Sequence, residues 1–211
     1  MVLPGRSDVV SLNGQNYTTL GAAESWGEFG LTLNGNGRLS GTANIIMERS
    51  GMLTLDNSTR LDASSAVVTT NLADRVNNAA NVIMRQGWLR LIGADSGNTS
   101  EAIATAGAKL QAQSGTNLID LWPKEGSNQT LTLTIGEISR SPGAVIRFRN
   151  LDSTSGFSST LVGSSENVQV ALTSLGSLSE VGSGATATSR KIIPGLLGGS
   201  APNAIYQDTR F

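Results

Sequence analysis

The chain has 211 residues, 38% hydrophobic but only 4% aromatic, so its core must be built from Leu, Ile, Val and Ala rather than from rings. Charged residues make up 15% and the formal net charge is −1, which leaves no electrostatic case for nucleic acid or an anionic membrane. With neither cysteine nor histidine, disulfides, thiolate metal sites and the commonest general base are excluded.

Taken in chain order, the predicted elements are short strands that end in turn signals. Ser11-Leu12-Asn13-Gly14 opens the series and Leu31-Thr32-Leu33-Asn34-Gly35 repeats it. Leu53-Thr54-Leu55-Asp56-Asn57, Leu89-Arg90-Leu91-Ile92-Gly93 and Leu131-Thr132-Leu133-Thr134-Ile135-Gly136 follow. Leucine at alternate positions marks the inward side of a half-buried strand, with Thr or Arg outward. Leu33, Leu53, Leu55, Leu89, Leu91, Leu131 and Leu133 are therefore the expected core, and Thr54 an outward position that should tolerate Asp. Asn-Gly and Asp-Asn supply residues that accept positive φ at a corner. Ser100–Gln113 is Ala-rich, but Gly107 interrupts it and its apolar positions form no helical stripe, so strands are expected there too. Residues 114–130 read as a loop or irregular segment. Val145–Arg149 and Val168–Leu172 read as strands, and residues 176–190 and 195–202 as Gly/Ser-rich loops.

One segment is used twice. Residues 38–55 (RLSGTANIIMERSGMLTL) match residues 75–91 (RVNNAANVIMRQGWLRL), with one residue gained or lost between them. Arg38 aligns with Arg75, Ala43-Asn44 with Ala80-Asn81, Ile46-Met47 with Ile83-Met84, and Gly51 with Gly87. Leu53 and Leu55 align with Leu89 and Leu91. Positions 12, 33 and 55 suggest coils of about 21 residues, and about ten such coils would form a rod on the order of 50 Å long. The wider gaps to Leu91 and Leu133 would hold an extra coil or a loop. The expected fold is all-β, a right-handed parallel β-helix (β-solenoid). The alternative is an antiparallel β-sandwich, which also has short, regularly spaced strands but does not require near-identical segments. The expected layout is solenoid coils with the internal repeat over residues 1–142. Over 143–211 it is further β coils with Gly/Ser-rich loops, the C-terminal tail forming a partial cap and the first coil left exposed.

Residues 51–93 also resemble a known family. Gly51-Met52-Leu53-Thr54-Leu55-Asp56-Asn57, Asn71-Leu72-Ala73-Asp74-Arg75, the strand Asn81–Met84 and the return at Gly87–Leu91 are similar to the autotransporter-associated β-strand repeat of large exported bacterial proteins. Ile138-Ser139-Arg140-Ser141-Pro142-Gly143 and Ile192-Ile193-Pro194 add to the resemblance, which covers most of residues 30–211. It implies a parallel β-helix passenger, exported and displayed on or released from the cell surface; the expected work of such a segment is to space, display, adhere or form fibres without catalysis. The N-terminus lacks the basic and apolar regions of a signal peptide, and no translocator barrel follows. The expectation is a piece of a longer chain, whose partners are the continuation of that solenoid or end-to-end copies of itself. No apolar run is long enough to span a membrane as a helix.

Few residues could carry chemistry. Ser-His-Asp and Cys-His sites cannot be drawn, and Gly35–Gly41 misses both the dinucleotide and the phosphate-loop spacing. No cofactor or metal is implied, and no catalytic residue is expected. The alternative is a carbohydrate-binding or carbohydrate-active β-helix, with Asp56, Asp74 and Asp95 from neighbouring coils meeting at one glycosidic bond, joined by Glu48 and Arg75. Trp88, with Trp26 and Trp122, would then stack on a surface glycan, whereas the plainer reading packs Trp88 at a corner. A flat Thr array fails because Arg90 interrupts the series Ser11, Thr32, Thr54. Asn-x-Ser/Thr triplets start at Asn16, Asn57, Asn98 and Asn128, a chance frequency in so Asn/Ser/Thr-rich a chain.

Overall fold

A computed structural model describes residues 9–12, 30–61, 67–68, 71–123, 129–150, 168–176, 178, 192–198 and 203–206. Among them every regular element is a strand. In chain order these are β1 (Val9–Leu12), β2 (Gly30–Leu33), β3 (Asn44–Glu48), β4 (Met52–Asp56), β5 (Arg60–Leu61), β6 (Val67–Val68), β7 (Asn81–Arg85) and β8 (Trp88–Ile92). They continue as β9 (Thr99–Ile103), β10 (Leu110–Ser114), β11 (Thr116–Trp122), β12 (Leu131–Arg140), β13 (Val145–Asn150), β14 (Val168–Ser174), β15 (Ile192–Gly198) and β16 (Asn203–Tyr206). The described residues include no helix long and apolar enough to cross a membrane.

Two sheets carry the fold. One runs β1-β3-β7-β10-β12-β14 with β9 also on β12, and the other runs β16-β15-β13-β11-β8-β4-β2. From β2 through β3 to β4, and again from β4 through β7 to β8, the chain crosses from one sheet to the other and back. Among the described residues, pairing within both is parallel except for β15–β16, and the small β5–β6 ribbon is also antiparallel. An antiparallel sandwich is not this arrangement. Pairing also continues across residue 142, through β11–β13 and β12–β14.

The duplicated segment stacks on itself. Asn44 pairs with Asn81, Ile46 with Ile83 and Met47 with Met84, then Leu53 with Leu89 and Leu55 with Leu91. The one-residue difference falls in the turn between strands, Arg49-Ser50-Gly51 in the first copy and Gln86-Gly87 in the second. The backbone stays in step because Ser50 N–H donates to Gln86 O at 2.9 Å and Trp88 N–H to Gly51 O at 3.0 Å. Gly87 is needed for that approach, since a Cβ there would lie 2.5 Å from Met47 O. On the facing edge, Asn81 Nδ2 donates to Asn44 Oδ1 at 3.1 Å, and Asn81 Oδ1 accepts Lys109 N–H.

Leucine columns fill the space between the sheets. Leu31, Leu53, Leu89, Ile119 and Phe148 stand in register, beside Leu33, Leu55, Leu91 and Leu121. All are buried, as are Leu131 and Leu133. Alternation of buried and half-buried positions along β7, β8, β10 and β13 matches the period of two read from the sequence.

Several expectations change. Leu12 does not precede Leu33 in its column, because β1 lies in the other sheet with Leu12 opposite Met47. Leu131 and Leu133 also belong there, with Leu133 between Glu101 and Val170. Returns to one sheet are unequal, short from Leu31 to Leu53 and much longer from Leu53 to Leu89, so a uniform coil of about 21 residues fails. No extra coil intervenes before Leu91, which pairs with Leu55 directly; the interval contains the β5–β6 ribbon. Within the expected loop 114–130, Thr116–Trp122 is a strand held on both sides by β8 and β13. Within 195–202, Leu196 and Leu197 extend β15 onto β13. The Ala-rich segment forms β9 and β10, with Gly107 at φ 79° in the turn between them. Thr54 occupies an outward position but is only 4% exposed, so it is not a tolerant surface site. The expected C-terminal cap and open first coil fall mostly outside the described residues.

Candidate functional site

Among the described residues, a dense array of polar side chains sits on the outward face of β8, β11 and β13. Parallel register puts Thr32, Thr54, Arg90, Asp120 and Arg149 in one row across β2, β4, β8, β11 and β13. Asp120 is fully buried although its strand position faces outward. Its carboxylate accepts two bonds from Arg149, Nε to Oδ1 at 2.5 Å and an Nη to Oδ2 at 2.7 Å. The indole N–H of Trp88 donates to Oδ2 at 2.6 Å, and Arg90 Nε lies 3.8 Å from the same oxygen. Both guanidinium groups lie by the indole of Trp88, 5.0 Å away for Arg90 and 5.2 Å for Arg149, and Arg90 also reaches Trp122 at 5.9 Å. The cluster buries a carboxylate by supplying a bidentate cation and an indole donor, the condition under which burial of charge is tolerated.

Beside this cluster lies a surface depression of about 310 Å³ lined by Ser50, Gln86, Gly87, Trp88, Thr116 and Leu118. Ser50 and Gln86 have positive φ in the stacked turns, at 68° and 61°, as does Arg49 at 52°. Asn117 braces the wall from inside: its Oδ1 accepts Gly87 N–H at 3.1 Å and its Nδ2 donates to Ser114 O and Val145 O.

A second polar centre lies at the far edge of the core. Arg75 is fully buried, its Nε donating to Asn57 Oδ1 at 2.9 Å and an Nη to Gly35 O at 2.9 Å and Gly37 O at 3.1 Å. The arginine thus ties the first turn after β2 to the loop after β4. Glu101 is 1% exposed on β9 and accepts the backbone N–H groups of Arg75 and Val76. Burial pushes its carboxyl up to about 8, the backbone donors only partly opposing that shift.

Two of the carboxylates of the carbohydrate alternative meet at one loop, and the others have separate partners. Asp56 Oδ1 accepts from Ser58 N–H at 2.8 Å and Ser58 Oγ at 2.6 Å, while Asp95 Oδ2 accepts Thr59 N–H. These two therefore grip consecutive residues of one loop. Asp74 is exposed and accepts from Asn78 Nδ2 at 3.2 Å. Glu48 pairs with Arg85 at 3.2 Å on the opposite sheet. Trp88 is held by Asp120, Trp122 lies on the next strand, and Trp26 falls outside the described residues. Asn57 is fully buried and accepts from Arg75 and from Leu72 N–H, so its triplet serves packing. The described residues include no group of three or more acidic side chains arranged to hold a metal ion.

Comparison with known proteins finds no matching family model, curated protein or solved structure. Sequence reasoning missed Asp120, Arg149 and Glu101. The alternation Thr99-Ser100-Glu101-Ala102-Ile103 carried a usable signal, because it gives Glu101 the inward parity of Thr99 and Ile103. For Asp120 the parity pointed outward, and only the neighbouring strands explain its burial.

Proposed function

We propose that the chain is a non-catalytic structural segment of a secreted or cell-surface bacterial protein, a right-handed parallel β-helix of the autotransporter-associated repeat type that spaces or displays other parts of its parent. The observation that supports this reading is the in-register stacking of residues 38–55 on residues 75–91. A duplicated unit whose copies pair strand for strand can be extended by further copies, because each new unit meets the same leucine column and turn backbone. The extended chain gains interface in proportion to its length, as a spacer requires. Successive units in the parent, or end-to-end copies of this chain, are its partners.

Two measurements test the proposal. Small-angle scattering from the isolated chain should give a rod of constant cross-section, and an isotropic particle would refute the solenoid. Protease treatment of intact source cells should remove the parent protein's epitope from these residues. Full protection in intact cells, with cleavage after lysis, would refute surface display.

A further inference from the structure

We infer that the depression beside Trp88 is a seat for a single neutral sugar residue. This goes beyond a spacer role and does not depend on the parent protein's location. Three observations converge. The described lining carries no charge, the guanidinium groups of Arg90 and Arg149 lying 5.0 and 5.2 Å from the Trp88 ring; it combines the apolar side chains of Trp88 and Leu118 with the polar residues Thr116, Ser50 and Gln86. A pyranose has the complementary surface, one C–H face for an indole and an aliphatic side chain, and a rim of hydroxyls that both donate and accept. At about 310 Å³ the depression is at the small end of ligand sites, suited to one residue of a glycan.

The third observation is rigidity. The Trp88 indole is fixed by its 2.6 Å bond to Asp120, and Asp120 is fixed in turn by two bonds from Arg149. Gln86, also in the lining, is held by its own N–H bond to Ser114 O, and its side chain packs against Gly115, where a Cβ would collide with Gln86 Cγ. An indole that only filled a corner would be enclosed. This one is half-buried, tied to Asp120 through its N–H, flanked by Arg90 and Arg149, and bordering open space. A platform ordered before binding loses little entropy on contact, which is how a small site gains useful affinity.

The experiment is indole ¹H–¹⁵N NMR on the whole chain, with the Trp88 resonance assigned through Trp88→Phe. The probes are methyl glucoside, methyl galactoside, methyl mannoside and methyl N-acetylglucosaminide, with cyclohexanol as an apolar ring lacking the hydroxyl rim. At least one glycoside should shift the Trp88 signal saturably. Thr116→Val and Gln86→Ala, both on exposed residues, should weaken that binding about tenfold while the amide spectrum keeps its dispersion. Trp122→Phe should leave it unchanged. Overturning results are no saturable shift with any glycoside, an equal response to cyclohexanol, or full affinity in both the Thr116 and Gln86 variants.

Discussion

The indole N–H of Trp88 reaches Asp120 Oδ2 at 2.6 Å across 32 residues of chain, joining β8 to β11 on their outward face. Arg149 completes the arrangement from β13, so three successive strands are pinned through one carboxylate. Asp120→Ala would leave a bidentate arginine and an indole donor without their acceptor in a nearly closed space. The expected loss is about 3–5 kcal/mol in urea unfolding. Trp88→Phe removes the indole donor and part of the ring beneath Arg90 and Arg149 but keeps the Asp120–Arg149 pair, and should cost about 2 kcal/mol. Equal, small effects for the two variants would mean that Asp120 is solvated rather than enclosed.

Thr54 and Leu53 give a contrasting pair. Thr54 Oγ1 is buried and makes no hydrogen bond, so its hydroxyl is desolvated without compensation. Thr54→Val keeps the shape, removes the orphaned group and should stabilise by about 1 kcal/mol. Leu53 stands in the central leucine column at 1% exposure, and Leu53→Asp should abolish cooperative unfolding at neutral pH. A lowered midpoint for Thr54→Val would show that the hydroxyl has an acceptor after all.

These two residues also show what the sequence could and could not reveal. Alternation assigns Leu53 inward and Thr54 outward, and both parities hold. Burial of Thr54 depends on what lies over the sheet, which a period of two does not encode. The duplication made the stacking of 38–55 on 75–91 legible, since two alike strands pair best in register. Leu12 and Leu133 were misplaced because alternation ending in a turn signal reads the same in either sheet; only the number of intervening turns decides which sheet a strand joins. The carboxylates chosen from the sequence, Asp56 and Asp95, sit next to turn signals, and both hold the loop after β4, Asp95 from 36 residues away. Asp120 gave no such signal, because its partners come from strands about 30 residues away on either side.

Gly136 should be irreplaceable. It divides β12 into a first part paired with β9 and a second part paired with β10, so the strand must pass a corner that two separate strands make elsewhere. A Cβ at this position would overlap the carbonyl oxygen of Ala104, a backbone atom that cannot swing aside, and Ala104 itself already sits at φ 51°. Gly136→Ala should cost at least about 2 kcal/mol, whereas Gly143→Ala, with open space around its Cβ, carries only the conformational cost of φ 80°, about 1 kcal/mol. Thermal melts of the two variants check the ranking, and a Gly136→Ala midpoint equal to that of Gly143→Ala would exclude the clash.

Glu101 makes stability depend on pH, with a sign opposite to that of a salt-bridged carboxylate. Its pKa rises from 4.5 to about 8 in the folded chain, chiefly because burial penalises the charge. Asp74 adds to that penalty, while the N–H groups of Arg75 and Val76 and the charge of Arg75 reduce it. Below pH 4.5 both folded and unfolded chains hold the proton, and the group contributes no difference. As pH rises toward 8, the unfolded chain gives up its proton while the folded chain keeps it, so the unfolded state gains and stability falls. Above 8 both are ionised and the loss is complete, on the order of 3–5 kcal/mol. Glu101→Gln keeps an oxygen to accept from Arg75 and Val76 but cannot ionise. Urea midpoints measured from pH 4.5 to 9 should therefore decline in the parent chain and stay nearly level in the variant, which becomes the more stable of the two at alkaline pH. Parallel pH profiles for the two proteins would show that Glu101 is ionised in the native state throughout.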